Sequence, residues 1–369
     1  MSDHREGYDP DAWRMVDEGW ARRAPEFATL SEPANVREYV AVHHRLGLGD
    51  GDRVLDLTCG SGLALELASL RGASVAGIDA SSRLIAIARD RLIEGDVRVG
   101  DMHALPWEDD SFEVVPSFRG IWGTTPWALA EVRRVLVPGG RLGFTVWGHI
   151  KKSPGAWALS PFQLASPPKV ENQAAMVALG RPGAGEELLA RHGFEDVERM
   201  FVPFVWEFAD PESYARALAS TGPAYEAIQA VGEEEFLRRA REIAQEHLRE
   251  GLPLRAEIDV VGHLARAPQE DTGPWPYDAR TGSFLGCTAP GVRGAQDVRR
   301  GCGESRLRDE RDASLGAPAR RARDALRADR GHCGGGRPQP SRSRHPDNRR
   351  GIHAWRLIVL ARVGRQARR

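Results

Sequence analysis

The stretch VLDLTCGSGLALEL, residues 54–67, places the strongest constraint on the fold of this 369-residue chain. An apolar, β-branched run leads into two glycines separated by a serine, and a helix-forming run follows them. A turn of this kind between a strand and a helix holds backbone N–H groups at the carboxyl edge of a sheet, where glycine leaves room for a ligand. Gly60 and Gly62 therefore predict a binding corner in an α/β fold.

Strand and helix patterns alternate from about residue 53 to residue 147. Strand patterns occur in RVLDLT, SVAGID, DVRVGD, FEVVPSF and RLGFTVWG, and helical runs of about ten residues separate most of them. Ser81 or Ser82 is placed to cap one helix, and Pro126 begins another. Strands that alternate with helices make βαβ units, so the pattern predicts a doubly wound α/β domain built on a parallel sheet.

The N-terminal segment, residues 1–36, is predicted to be helical. Trp13, Trp20 and Phe27 are spaced seven residues apart and form an aromatic stripe. We expect this stripe to pack against the sheet domain, and closure over a ligand as a lid is the alternative.

Further elements follow residue 147, and we expect the main domain to span residues 37–267. DVERMFVPFVWEF predicts a strand, in which Pro203 indicates an edge position or a bulge. LRAEIDVVGHLAR alternates polar and apolar residues, as is typical of a strand with one exposed face. Two helical insertions, at about 150–182 and 210–250, are expected to cover one end of the sheet.

The last hundred residues, 268–369, show no such pattern. They hold 22 of the 51 basic residues and 11 of the 52 acidic ones, which gives them a net charge of +11 and the first 267 residues −12. We expect a disordered tail, and the alternatives are a metal-binding appendage and an out-of-frame extension. The metal alternative is weak, because the spacing of three cysteines and a histidine there is not that of a zinc site: Cys287, Cys302, His332, Cys333.

Composition also narrows the class of function. An acidic body argues against nucleic acid as a partner, because phosphate recognition needs clustered lysine and arginine. No stretch approaches the ~18 apolar residues of a membrane span, and the charged start MSDHREGYDPDAW has no apolar leader core, so we expect a cytoplasmic protein. Four cysteines in so long a chain make no disulfide framework.

Two cofactor classes use a glycine corner of this kind, dinucleotides and S-adenosylmethionine. The dinucleotide fingerprint G-x-G-x-x-G requires a third glycine where Leu65 stands. Asp56, just ahead of the loop, would repel a pyrophosphate and attract a cationic ligand, although it could instead cap a neighbouring turn. Asp79 ends the second strand and can accept two hydrogen bonds from a ribose diol. Asp101 ends the third and can accept from an adenine amino group, with Met102 beside the ring.

Four segments occur in an order and spacing that resemble the class I S-adenosylmethionine-dependent methyltransferases: VLDLTCGSG, GIDAS, GDMHALPWEDDSFEVV and EVRRVLVPGGRL. The chain is most similar to the branch that includes the ubiquinone and menaquinone C-methyltransferases, over about residues 35–150. The resemblance implies a Rossmann-like seven-stranded sheet with the last strand antiparallel. It also implies transfer of a methyl group from S-adenosylmethionine to a small-molecule acceptor by in-line displacement.

Matching positions carry the family's cofactor site onto this chain. Thr58 stands where the family usually has glycine or alanine, and Pro116 interrupts a strand that should be central. The implied cofactor residues are Asp56, Thr58, Gly60 and Gly62 for the methionine part, Asp79 and Ala80 for the ribose, Asp101 and Met102 for the adenine, and Ser117 beneath the cofactor.

Candidates for the acceptor side follow the fourth and fifth strands. Arg119 could bind a carboxylate or phenolate, and Trp122 could stack on a flat substrate or pack against the next helix. His103 and His149 are candidates for a general base, and ordinary surface histidines are the alternative.

Two rival functions remain open. One is an NAD(P)-dependent oxidoreductase, which Leu65 and Asp56 disfavour. The other is a protein that binds S-adenosylmethionine without transferring its methyl group. The sequence does not identify the acceptor or the oligomeric state.

Overall fold

The structure is a computed structural model that describes residues 17–120, 126–165, 177–248, 253–269, 277–278 and 283–284. The strands within these ranges are β1 (Arg53–Asp56), β2 (Ser74–Asp79), β3 (Asp96–Val99), β4 (Phe112–Phe118), β5 (Leu136–Trp147), β6 (Glu195–Val202), β7 (Val205–Phe208), β8 (Leu254–Glu257), β9 (Val260–Arg266), β10 (Tyr277–Asp278) and β11 (Ser283–Phe284).

Helices flank these strands in the order expected of a doubly wound domain. They are α1 (Val36–Arg45), α2 (Leu63–Ser69), α3 (Ser82–Arg91), α4 (Pro126–Val135), α5 (Ala184–Arg191), α6 (Pro211–Ala219), α7 (Gly222–Val231) and α8 (Glu233–His247). Short helical turns precede α1 (Ala24–Glu26, Phe27–Ser31 and Glu32–Asn35), and 3-10 turns follow β5 (Ile150–Lys152 and Ala156–Leu164).

A seven-stranded sheet forms the centre, in the order β3-β2-β1-β4-β5-β9-β6. The first five strands run parallel, and β9 is antiparallel to both of its neighbours, β5 and β6. This confirms the Rossmann-like sheet whose last strand is antiparallel. Consecutive residues supply opposite faces of the core, because Val54 and Val114 belong to one buried cluster and Leu55 and Val115 to the other.

Local sequence signals set several element boundaries. Ser81 caps α3, since its Oγ accepts a hydrogen bond from Leu84 N at 3.3 Å. Pro126 begins α4, where its missing N–H costs nothing. Gly193 follows α5 with φ of +67°, a backbone conformation that favours glycine.

Two predicted strands are each divided in the structure. Residues 196–208 break at Pro203, so β6 takes the edge of the large sheet and β7 pairs with β8 in a separate two-stranded ribbon. Residues 254–266 break before Val260. The alternating burial predicted for all of them holds only in β8, because β9 lies between two strands and buries all but its last residue, Arg266.

Pro116 lies in the middle of β4 without ending the strand. Its carbonyl accepts from Leu57 N at 3.1 Å, and it pairs in register with Gly143 of β5. The two polar groups of a residue in a parallel strand face the same neighbour, so the missing N–H weakens only the pairing with β1. Ser117 therefore keeps its place at the end of a central strand.

The N-terminal segment contacts the domain through its aromatic stripe. Trp20 packs edge-on against Phe27, with ring centroids 5.4 Å apart, and Phe27 clusters with Leu84 of α3. A Cβ on Gly222 of α7 would lie 2.2 Å from Trp20 Nε1, so this glycine admits the indole. The expected packing is confirmed for these two rings, and Trp13 lies outside the described residues.

Other predictions remain untested by the fold. Almost all of the expected tail, 268–369, lies outside the described residues, and the domain boundaries at 36 and 267 stay predictions. Within the described ranges, no helix has both the length and the apolarity that crossing a bilayer requires.

Candidate functional site

Parallel pairing of β1, β2 and β3 brings the carboxyl ends of these strands to one edge of the sheet. Asp56 ends β1, Asp79 ends β2 and Asp101 follows β3, so three carboxylates meet there as the sequence indicates. We call this region, with the loop 57–62, the glycine-loop end. The carboxyl ends of β4 and β5, with Arg119 and Thr145, are called the arginine end.

The backbone of the glycine loop adopts conformations that side chains disfavour. Gly60 has φ of +54° and Gly62 has φ of +83°. A Cβ on Gly62 would also lie 2.9 Å from the Cβ of Ala88, so the first turn of α2 depends on glycine for its close approach to α3. Gly62 is thus required by packing, and the backbone conformation favours glycine at position 60.

Asp79 fixes the loop through its carboxylate. Oδ2 accepts from Gly60 N at 2.9 Å, and Oδ1 accepts from Ser81 N at 2.8 Å. Burial raises the pKa of Asp79, and these two N–H groups oppose the rise. Each oxygen retains capacity for a second hydrogen bond, as a ribose diol would require, and Ala80 lies next to it with a half-buried side chain.

Asp56 is almost fully enclosed, with 1% of its surface exposed. Its Oδ1 accepts from Thr58 N at 3.1 Å, so the alternative role of turn cap holds in the structure. Burial, together with the negative charges of Asp79 and Glu32, raises its pKa to about 8, and the Thr58 N–H opposes the rise. A cation placed beside Asp56 would therefore stabilise its ionised form.

Asp101 and His103 contact each other at the end of β3. His103 Nδ1 lies 2.5 Å from Asp101 Oδ1, which also accepts from His103 N at 3.0 Å. The carboxylate thus orients the imidazole, and the base role for His103 stays a prediction. Met102 between them is half-buried and packs against the core.

Thr58 and Ser117 join the two ends of the site. Their hydroxyl oxygens lie 3.2 Å apart, and Ser117 is fully buried at the end of β4. A Cβ on Gly120 would lie only 2.0 Å from Thr58 Oγ1. Thr58 is therefore accommodated because glycine occupies position 120, which gives a physical reason for the departure at position 58.

Glu32 is a member of the glycine-loop end that the sequence analysis missed. It is 1% exposed, contacts Ser61 Oγ, and accepts from Arg91 Nη1 at 2.7 Å. A Cβ on Gly60 would lie 3.4 Å from Glu32 Oε1 and 3.5 Å from the Phe27 ring. The N-terminal segment thus reaches the surface of the glycine loop.

Arg119 is placed at the rim as predicted, but its partner belongs to the protein. Its Nη1 forms an ion pair with Glu38 of α1, which is completely buried and accepts from Thr145 Oγ1 at 2.5 Å. Arg119 therefore has a partner within the protein, and its role in binding a carboxylate or phenolate stays a prediction. Burial raises the pKa of Glu38, and Arg119 and Thr145 oppose the rise.

Two aromatic rings hold the guanidinium of Arg119. Its central carbon lies 4.9 Å from the Trp147 ring centroid and 4.6 Å from that of Phe204. Arg119 also has φ of +57°, which is unusual for a residue with a side chain, and its N donates to Thr145 O at 3.1 Å. Unusual backbone conformations of this kind concentrate at functional sites.

The remaining candidates are not brought into this group. His149 is exposed in the turn after β5, so its surroundings give a base role no support. Trp122 lies outside the described residues. Glu38 carried one sequence signal, because it interrupts the buried stripe of α1 formed by Tyr39, Val42 and His43.

The glycine-loop end suits a nucleoside that carries positive charge. The Asp79 carboxylate can accept from a diol, and buried Asp56 favours a cation. Among the described residues, no group of three His, Cys, Asp or Glu side chains could hold a metal ion.

Comparison with known proteins adds sequence relatives to this geometry. A family model described as a methyltransferase domain matches residues 54–140. The demethylmenaquinone methyltransferase of Renibacterium salmoninarum is 30% identical over 130 residues, which are 35% of this chain and 55% of that protein. The chain thus spans about half the length of the first curated relatives it matches.

A longer match covers more of both chains. The malonyl-acyl-carrier-protein O-methyltransferase of Halorhodospira halophila is 31% identical over 217 residues, which are 55% of this chain and 68% of that protein. Among solved structures, the YcgJ protein of Bacillus subtilis matches with 16% identity and a TM-score of 0.42, over 62% of this chain and 100% of that one.

Proposed function

The chain belongs to the class I S-adenosylmethionine-dependent methyltransferases, and from this premise we propose that it transfers the methyl group of that cofactor to a small-molecule acceptor. The observation that carries the proposal is the Asp79 carboxylate, which holds both Gly60 N and Ser81 N beside a loop of left-handed glycines. That arrangement supports a binding site for the ribose and the methionine part of the cofactor.

The chain's own residues would hold the cofactor at the glycine-loop end. Asp79 would accept from the ribose hydroxyls with Ala80 beside it, and Asp101 with Met102 would contact the adenine. Asp56 would offset the positive charge, while Gly60 and Gly62 allow the loop its left-handed backbone conformations. Thr58 and Ser117 would form the floor between cofactor and acceptor.

When bound, S-adenosylmethionine supplies a methyl group on a sulfonium that is open to in-line displacement. The protein's part is to align the acceptor and to exclude water, and orientation alone can lower such a barrier by about 7–11 kcal/mol. Phe27 and Glu32 lie against the glycine loop, where they would shield it from solvent. We assign no general base: His149 is exposed, Glu38 is held by Arg119, and His103 stays a candidate.

Two contacts disfavour the nicotinamide alternative. In dinucleotide-binding folds a third glycine lets the helix approach the strand, whereas here Leu65 of α2 fills that space and Gly77 of β2 is the glycine. A Cβ on Gly77 would lie 2.7 Å from Leu65 Cδ1. Glu32 beside Gly60 is paired with Arg91, so this contact offers a pyrophosphate no net positive charge.

Methyl-labelled S-adenosylmethionine tests the proposal with a panel of phenolic, quinol and carboxylate acceptors. We expect label in one acceptor class, and we expect S-adenosylhomocysteine, but not NAD, to raise the melting temperature. Binding of S-adenosylhomocysteine without label in any acceptor would favour a cofactor-binding protein that transfers no methyl group. Stabilisation by NAD alone would contradict the proposal.

The matched control is Asp79→Ala in the same assays. Its loss of both labelling and thermal stabilisation would connect the activity to the glycine-loop end. A variant that kept both would show that the label arises elsewhere.

A further inference from the structure

Charge at the arginine end is already balanced within the protein. Glu38 is completely buried, and the side chain of Arg119, its ion-pair partner, is 14% exposed. The pair presents one cation and one anion with no net charge, so this wall of the site differs from the carboxylate-rich glycine-loop end.

We propose that the arginine end receives an uncharged, flat part of the acceptor and that Glu38 determines this preference by neutralising Arg119. The inference rests on the proposed function, because it concerns the acceptor of that reaction. It adds to that function a preference for an uncharged acceptor and a specificity-determining residue, Glu38.

Electrostatics disfavours an anionic acceptor at the arginine end. An unpaired arginine at a partly buried rim attracts carboxylates strongly, since the local dielectric is low. With Glu38 in contact, the attraction of Arg119 for an incoming carboxylate is offset in part by repulsion from Glu38 behind it. An anionic acceptor therefore gains little from this arginine.

A substrate carboxylate cannot easily displace Glu38 from Arg119. Thr145 Oγ1 donates to its Oε1 at 2.5 Å, while α1 and the sheet bury the whole side chain. A carboxylate that took its place on Arg119 would leave Glu38 buried without a cationic partner, which is unfavourable. The binding of a substrate anion to Arg119 would be weakened by this unfavourable free energy.

The shape of the arginine end also favours a flat group. Trp147 and Phe204 lie edge to face with ring centroids 5.4 Å apart, and the Arg119 guanidinium lies against both rings. Trp147 keeps part of its surface exposed, whereas Phe204 is buried. The partly exposed indole of Trp147 presents a flat surface on which an aromatic ring can stack.

A pair of probes that differ by one carboxylate tests the proposal. The full-length protein, saturated with S-adenosylhomocysteine, is titrated at pH 7 with 2-naphthol and with 3-hydroxy-2-naphthoate, and both affinities are measured by calorimetry. We expect the parent to bind 2-naphthol at least about tenfold more tightly than it binds 3-hydroxy-2-naphthoate. Glu38→Gln should shift that ratio about tenfold toward the naphthoate, and Glu38→Gln with Arg119→Gln should restore it.

Three outcomes would overturn the proposal: naphthoate binding the parent as tightly as naphthol, an unchanged ratio in Glu38→Gln, or no binding of either probe. Arg119→Gln alone serves if Glu38→Gln does not fold. It should keep the preference for naphthol, and a selective loss of naphthoate affinity would show instead that Arg119 binds the carboxylate.

The two proposals fail in different ways. If S-adenosylhomocysteine does not bind, the proposed function is wrong. If it binds and the probe ratios contradict expectation, only the assignment of Glu38 and of the acceptor class is wrong.

Discussion

Asp56 and Asp79 at the glycine-loop end are held differently from Glu38 at the arginine end. At the glycine-loop end, Asp56 and Asp79 accept backbone N–H groups, and no ion pair of either one occurs among the described residues. At the arginine end, Glu38 is paired with the cation of Arg119. Carboxylates held only by the backbone thus remain open to a ligand's donors and charge, whereas a carboxylate paired with a cation presents no net charge to a ligand.

Removing Glu38 should have the largest effect, because it leaves Arg119 partly buried without its anion. We expect Glu38→Ala to lower the free energy of unfolding by about 3–5 kcal/mol, as measured by urea denaturation. Affinity for S-adenosylhomocysteine should stay within about threefold of the parent, since the two ends are separate. A variant as stable as the parent would break the distinction between a paired and an open carboxylate.

Asp79→Ala should have the next largest effect, at the other end. We expect a loss of about a hundredfold in affinity for S-adenosylhomocysteine, measured by calorimetry, because hydrogen bonds to a charged acceptor contribute about 1.5–3 kcal/mol each. Asp79→Asn, which keeps one acceptor oxygen, should lose less. Unchanged affinity in a folded Asp79→Ala protein would remove the glycine-loop end from the cofactor site.

The pH dependence of the stability of Asp56→Asn tests whether the folded protein holds a proton on Asp56. The folded protein holds the Asp56 proton up to about pH 8, whereas the unfolded chain releases it near its ordinary pKa of 3.8. Stability from this group is therefore present at low pH and is lost as pH rises to about 8. We expect Asp56→Asn to flatten the decline of the melting temperature between pH 5 and pH 8.

Only part of that decline should disappear. Burial also raises the pKa of Asp79, Glu32 and Glu38, and these groups contribute in the same direction in both proteins. A variant whose pH profile coincides with that of the parent would show that Asp56 is not the protonated group.

The smallest effect is expected for an exposed ion pair, which serves as the control for Glu38. Arg191 and Glu187 pair on the surface of α5 one helical turn apart, with most of both side chains exposed. Arg191→Ala should change the free energy of unfolding by about 0.5 kcal/mol or less, because water screens such pairs. A cost similar to that of Glu38→Ala would mean that burial does not decide the energetics.

The glycine-loop end could be predicted from sequence because its determinants are local. Gly60 and Gly62 must adopt left-handed backbone conformations within one short loop, and parallel strands necessarily bring Asp56 and Asp79 to the same edge. The cap by Ser81 follows from the same local rules. The seven-stranded sheet and the antiparallel β9 agreed with the family resemblance.

The arginine end could not be predicted in the same way, because its contacts join distant parts of the chain. Glu38 meets Arg119 across 81 residues, and nothing near Arg119 in the sequence indicates an anion. Acidic residues on helices are usually exposed, so only the position of Glu38 within the buried stripe of α1 gave a signal. The break before Val260 was missed for a similar reason, since the place of β9 between two strands is a tertiary property.

A crystal structure of the full-length protein with S-adenosylhomocysteine tests the central claim most directly. The account predicts the ribose hydroxyls on the Asp79 carboxylate, the amino group near Asp56, and the Glu38–Arg119 ion pair intact. A ligand bound away from the loop 57–62, or an Arg119 released from Glu38 to bind the ligand's carboxylate, would contradict it.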